Sequence, residues 1–245
     1  MKDAFEMPGY RRRIVIEPAP GAVLSMLEDD IHAMAVILRH DGHVVQQIEP
    51  FGLRMPWTTC PGAEAKLAET FSGASLEEVT ARRDKKQNCT HLHDLAVLAA
   101  GHAHDRVPIR YDIAATDPVD GKRTLQISRD GMAVHCWEEV DGVLSAPAQI
   151  AGETLLSLRS WIGSLDAFAQ EAARLLQWGS LVAHGRTLPY AAQSDATKMP
   201  ANCYTFQPEH AAKADRVGDQ YDFSRGTRVP LEAFADSMRA KLASI

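Results

Sequence analysis

The chain reads as an α+β protein: two small halves, each pairing an antiparallel sheet with helices, packed together. Three observations predict this. Runs of β-branched and apolar residues are joined by Asp-Gly dipeptides at 41, 120, 130 and 141, a hairpin signature rather than a crossover signature. Helical spacing is gathered into blocks that follow the strands instead of alternating with them. The 245 residues are 45% hydrophobic and 24% charged, enough for a substantial core. The texture changes near residue 105, so the halves are expected at 1–105 and 106–245.

In order, "RRRIVIEP" reads as a first strand stopped by Pro18 and Pro20. "IHAMAVILRHDGHVVQQIEP" reads as a hairpin turning at Asp41-Gly42, with His40 and His43 exposed beside the turn. "CPGAEAKLAETF" reads as a helix with Pro61 suited to its first turn and Gly73 ending it. Ser75 and Glu78 have the spacing of a capping box for "LEEVTARR". The next helix opens in "NCTHLHDLAVLAAGHAH" with Asn88 or Thr90 as its cap, and Leu92, Leu95, Ala96, Ala99 and Ala103 at helical spacing.

Strands return in "PIRYDIAATD", "RTLQISRDG" and "MAVHCWEEVDG", a meander of three or four strands. Residues 156–185 read as two helical pieces broken near Gly163, with Ser164 capping the longer one. Residues 186–202 read as a loop, and "PLEAFADSMRAKLAS" as a closing amphipathic helix.

Composition excludes several classes. A net charge of −6 argues against a nucleic-acid footprint, and the runs Arg11–Arg13 and Arg82–Lys86 read as solvated surface. No window approaches the ~18 apolar residues of a membrane span, and no apolar signal region opens the chain. The four cysteines are scattered and expected reduced, which places the protein in the cytoplasm. No GxGxxG, Walker A, GxSxG or kinase set is present, so no nucleotide or other organic cofactor is expected.

Two resemblances stand on particular residues. "IHAM" at 31–34, "IEPFGLRMPWTTCPGA" at 48–63 and "NCTHLHDLAVLAA" at 88–100 resemble the DUF2889 family of uncharacterised bacterial proteins, over residues ~10–105. The tail "CYTFQPEHAAKADRVGDQYDFSRG" is similar to the end of its longer members. That family implies no activity. Cys60, "SGASLEEV" and "NCTHLHDLA" also resemble, in order and spacing, the NifU N-terminal iron–sulfur scaffold. Only Cys60 and Cys89 of a four-ligand set carry over, and Asn88 stands where the scaffold has His. The resemblance implies a shared fold without the cluster.

Residues 88–104 hold Cys89, His91, His93, His102 and His104. Residues two apart lie about 200° apart around a helix, so neither His91/His93 nor His102/His104 can share a metal on regular helix. Zinc is therefore not expected; a metal, if held, would take Cys60, Cys89 and His91. Cys89 at a helix start is either a thiolate favoured by the helix dipole or a small buried hydrophobe. His32 stands beside Asp29 and Asp30, and an adjacent carboxylate can set a histidine's tautomer and raise its basicity.

The expectation is a cofactor-independent lyase or isomerase of bacterial catabolism acting on an apolar aromatic small molecule, such as a lignin-type dimer that loses formaldehyde. His91 or His32 would be the base, with Tyr204 or Tyr190 orienting a phenol. Cys89, Trp57 and Gln207 complete the expected substrate-binding set. Homo-oligomerisation is compatible with this reading. The competing class is a non-enzymatic metal- or partner-binding protein with the scaffold-like fold.

Overall fold

The computed structural model describes residues 3–83 and 85–243. It is α+β, as the hairpin signals predict. Eight antiparallel strands are hydrogen-bonded in the order β4-β3-β2-β1-β5-β6-β7-β8. They are β1 (Gly9–Ala19), β2 (Ala22–Asp29), β3 (Ala33–His40), β4 (Val45–Arg54), β5 (Ile109–Thr116), β6 (Lys122–Arg129), β7 (Met132–Val140) and β8 (Val143–Ala146). The helices are α1 (Gly62–Phe71), α2 (Leu76–Ala81), α3 (Thr90–Gly101), α4 (Arg159–Gly163), α5 (Ala167–His184), α6 (Pro208–Ala211) and α7 (Ala235–Ala243). The chain divides into two compact units: residues 14–109, 190–221 and 231–245 form one, and residues 1–13, 110–189 and 222–230 the other.

The first unit carries the site. Its β2 and β3 pair from Ala22↔Arg39 to Glu28↔Ala33. β2 is buried throughout and β3 at every position but one, so neither shows the polar alternation of a half-solvated strand. Both faces are covered. Leu24, Met26, Ala35 and Ile37 pack against Leu231, Ala235 and Met238 of the α7 segment. Met34, on the opposite face, meets Cys89 at the start of α3, which runs along β2 and β3. Each large aliphatic side chain so buried contributes roughly 1.5–3 kcal/mol.

β2 has no counterpart among the expected strands, because its sequence, AVLSMLED, lacks the polar alternation of a half-solvated strand. β1 also exceeds expectation: it opens at Gly9 and runs through Pro18 to Ala19. The capping box forms as expected, with Ser75 Oγ accepting from Glu78 N and Glu78 accepting from Ser75 N. His40 is a correction: it is buried, and its Nδ1 accepts from the Gly42 amide.

In the second unit the Asp-Gly dipeptides make the hairpin turns, with φ positive at both residues of each: 51° and 75° at 120–121, 52° and 85° at 130–131, 49° and 85° at 141–142. α5 crosses this meander, and Gly179 lets it approach Ile113 closely. Asp166, not Ser164, caps α5, accepting from Ala169 N, while Ser164 Oγ donates to the Trp161 carbonyl. Arg11 and Arg12 are buried rather than solvated; Arg11 donates to the Tyr10 and Phe5 carbonyls and Arg12 lies over the Tyr10 ring.

Candidate functional site

The site begins with the last residue of β2, Asp29, and the three-residue connection to β3. Asp29 N–H donates to the His32 carbonyl, closing the turn. Asp29 Oδ1 accepts from the amides of Ile31 (2.8 Å) and His32 (2.7 Å), a local side-chain turn that short acidic residues make readily. The same carboxylate meets the ring of His32, with Nδ1 3.0 Å from Oδ1 and 3.3 Å from Oδ2. Asp29 is fully buried, whereas the His32 side chain keeps 11% of its surface accessible. A carboxylate at Nδ1 selects the tautomer with the proton there, leaving the lone pair on Nε2.

A largely buried arginine holds this corner from behind. Arg54, the last residue of β4, donates to the carbonyls of Asp29 (2.6 Å) and Asp30 (2.9 Å) and to Glu28 Oε1 (3.1 Å). Its guanidinium lies 4.1 Å over the Tyr221 ring, and Tyr221 N–H donates to the Asp30 carbonyl. Glu28 is itself fixed, its Oε2 accepting from Leu231 N–H at 2.6 Å. The fork of Arg54 thus brings a charged donor to two consecutive carbonyls of the turn.

α3 brings the second imidazole. Cys89 occupies its N-cap position and makes no side-chain capping bond. Neither expected cap acts: Thr90 is the first helical residue, and the Asn88 side chain is engaged by the Thr70 hydroxyl. In the first turn, His91 lays its ring against His32, with centroids 4.0 Å apart and planes inclined by 31°. Among the described residues, Asp29, His32 and His91 are the one group of three metal-capable side chains whose ligand atoms lie within 4.8 Å of one another.

The other expected site residues lie elsewhere in this unit. Cys89 is buried with Sγ 3.9 Å from Met34 Sδ, and burial pushes its thiol up to about 12, so the hydrophobe reading describes it and the thiolate reading does not. Cys60 Sγ is 3.3 Å from the Thr205 hydroxyl, and burial raises its pKa as well. With Cys60 and Cys89 turned to these partners, the set Cys60, Cys89 and His91 is not assembled.

Tyr204 stacks on His210 at 3.9 Å, with its hydroxyl close to Gly62 at the start of α1. Trp57 is buried between Phe206, edge-on, and Arg216, which lies over its ring. Gln207 ties down its loop, donating to the carbonyls of Lys86, Ala201 and Cys203. The side chain of Tyr190 lies outside the described residues. His93 is buried behind Phe71, its ring nitrogens without a hydrogen-bond partner.

The structure therefore brings His32 and His91 together and adds Asp29 to them. Arg54, Glu28 and Tyr221 went unread because their partners lie 22 to 203 residues away in sequence, and a lone Arg at a strand end carries no local signal. The arrangement can accept a proton at His32 Nε2, stabilise the resulting imidazolium through Asp29, and place a second imidazole beside it. No helix among the described residues is long and apolar enough to cross a membrane. Compared with known proteins, the chain matches no family model and no curated protein.

Proposed function

We propose that Asp29, His32 and His91 form the acid–base centre of a cofactor-independent cytoplasmic enzyme, a lyase or isomerase acting on an apolar aromatic small molecule. The observation that carries this reading is the Asp29–His32 pair at 3.0 Å with the His91 ring stacked at 4.0 Å. A fully buried carboxylate behind a partly accessible imidazole is the arrangement that orients a general base.

The concrete form is loss of formaldehyde from a lignin-type dimer bearing a hydroxymethyl group. His32 Nε2 takes the hydroxyl proton as the C=O bond of formaldehyde forms. The C–C bond breaks, and its electron pair passes to the carbon conjugated with the aromatic ring. His91 as its imidazolium delivers a proton to that carbon, or to a neighbouring leaving group that the pair expels, and the proton held by His32 passes to His91 to restore the starting state. Asp29 holds His32 in the required tautomer throughout. Tyr204 and Tyr190 remain as groups that could orient a phenol, without a part in the bond changes.

The test is a panel of hydroxymethyl-bearing aromatic dimers incubated with purified protein, with formaldehyde and the residual aromatic measured together. Stoichiometric release that disappears in His32→Ala and His91→Ala supports the reading. Turnover that survives in the double variant overturns it.

A further inference from the structure

The same corner meets the requirements of a metal centre. We propose that Asp29, His32 and His91 form a three-ligand site for a divalent transition metal, zinc fitting best, which takes the place of the proton between His32 and Asp29. The inference rests on the placement of these side chains and not on the reaction proposed above.

Two imidazoles and one carboxylate are a ligand set for such ions, and three protein ligands leave a position open for water or substrate. Two ligands of a tetrahedral zinc with bonds of ~2.0–2.1 Å stand about 3.3–3.4 Å apart. His32 Nδ1 and Asp29 Oδ2 are 3.3 Å apart. The third donor is already within reach, since one atom from each residue lies within 4.8 Å of the others.

The carboxylate is preorganised, because the Ile31 and His32 amides hold Oδ1 and so fix the orientation of Oδ2. Arg54 fixes the backbone that carries both Asp29 and His32. The positive end of α3 opposes a cation beside His91, and the Asp29 charge offsets it. His91-x-His93 was set aside as a metal pair because helical spacing separates those two side chains. The fold instead supplies the second histidine from a strand connection, which local spacing could not show.

Metal binding at Nδ1 moves the His32 ring proton to Nε2 and needs both imidazoles neutral, so affinity falls in acid. The experiment is calorimetric titration of chelator-treated full-length protein with zinc chloride at pH 7.5 and again at pH 5.5. One equivalent is expected at pH 7.5, with weaker binding at pH 5.5 and an affinity roughly 100-fold or more lower in His91→Ala and in His32→Ala. A His102→Ala/His104→Ala double variant should bind as wild type does.

Where a variant fails to fold, cobalt loading of the wild-type protein decides. Visible ligand-field absorption without a thiolate charge-transfer band supports the site; a thiolate band assigns the ion to the cysteines and overturns it. Binding unchanged in His91→Ala, or no stoichiometric binding, also overturns it. Turnover by chelator-treated protein is read separately, so protein that binds no zinc yet releases product sinks the metal site and leaves the acid–base reading standing.

Discussion

Strand β3 and helix α3 run alongside each other, and at each end a histidine pair forms: His32, just before β3, with His91 of α3, and His40 of β3 with His104, just after α3. At one end His32 and His91 stack at 4.0 Å; at the other His40 and His104 meet edge-on at 6.2 Å. The difference is the company each keeps. His32 Nδ1 faces a fully buried carboxylate, whereas His40 Nδ1 accepts from a backbone amide and its Nε2 is buried with no hydrogen-bond partner. His102, beside His104, pairs with the exposed Asp105 at 2.7 Å. A carboxylate removed from water and fixed by backbone amides prepares an imidazole for chemistry; a high local count of histidines does not.

The largest expected effect separates the two ends by activity. His32→Ala should lower kcat/KM for formaldehyde release by about 10²–10⁴, the usual worth of a positioned general base. His104→Ala should leave it unchanged, and comparable losses at both ends would erase the distinction.

Next comes the support. Arg54→Met removes one partner of the Glu28 ion pair and takes a charged donor from the carbonyls of Asp29 and Asp30, so about 3 kcal/mol or more of stability should be lost in urea unfolding. Asp105→Ala breaks an exposed pair at the other end of α3 and should cost no more than ~1 kcal/mol.

A smaller effect is expected where α3 begins. Cys89→Ser buries a hydroxyl against Met34 and should cost roughly 1–3 kcal/mol. With its thiol pushed up to about 12 by burial, Cys89 should resist alkylation at pH 8 until the protein is unfolded, as mass spectrometry of the labelled peptide would show.

The smallest effect concerns acid. Burial, and then the neighbouring His104, hold the pKa of His40 below that of a free imidazole. The unfolded chain therefore takes up this proton first. His40 removes no stability above pH ~6.5, and removes it progressively as the pH falls below that value. Thermal melts of His40→Gln should show a shallower decline than wild type over that acid range.

What was legible in the sequence follows its local signals. The Asp-Gly turns, the capping box and the spacing of α1 and α3 could be read because the residues that decide them are neighbours. β2 escaped because a strand covered on both faces loses its alternation, and the caps of α3 and α5 because Asn88 is engaged by Thr70 and Ser164 by the Trp161 carbonyl. His32 and His91 were each visible as a histidine at the end of an element, and Asp29 as an adjacent carboxylate. Their meeting was not, since 59 residues separate the two histidines and only the packing of α3 along β3 closes that gap.

The central claim is that Asp29 sets His32 apart, and the ring tautomers test it most directly. A long-range proton–nitrogen correlation spectrum of the histidine side chains of chelator-treated protein, recorded above their titration range, should show His32 protonated on Nδ1 and His40 on Nε2. His32 protonated on Nε2, as His40 is expected to be, would mean that the buried carboxylate does not orient it, and would contradict the account.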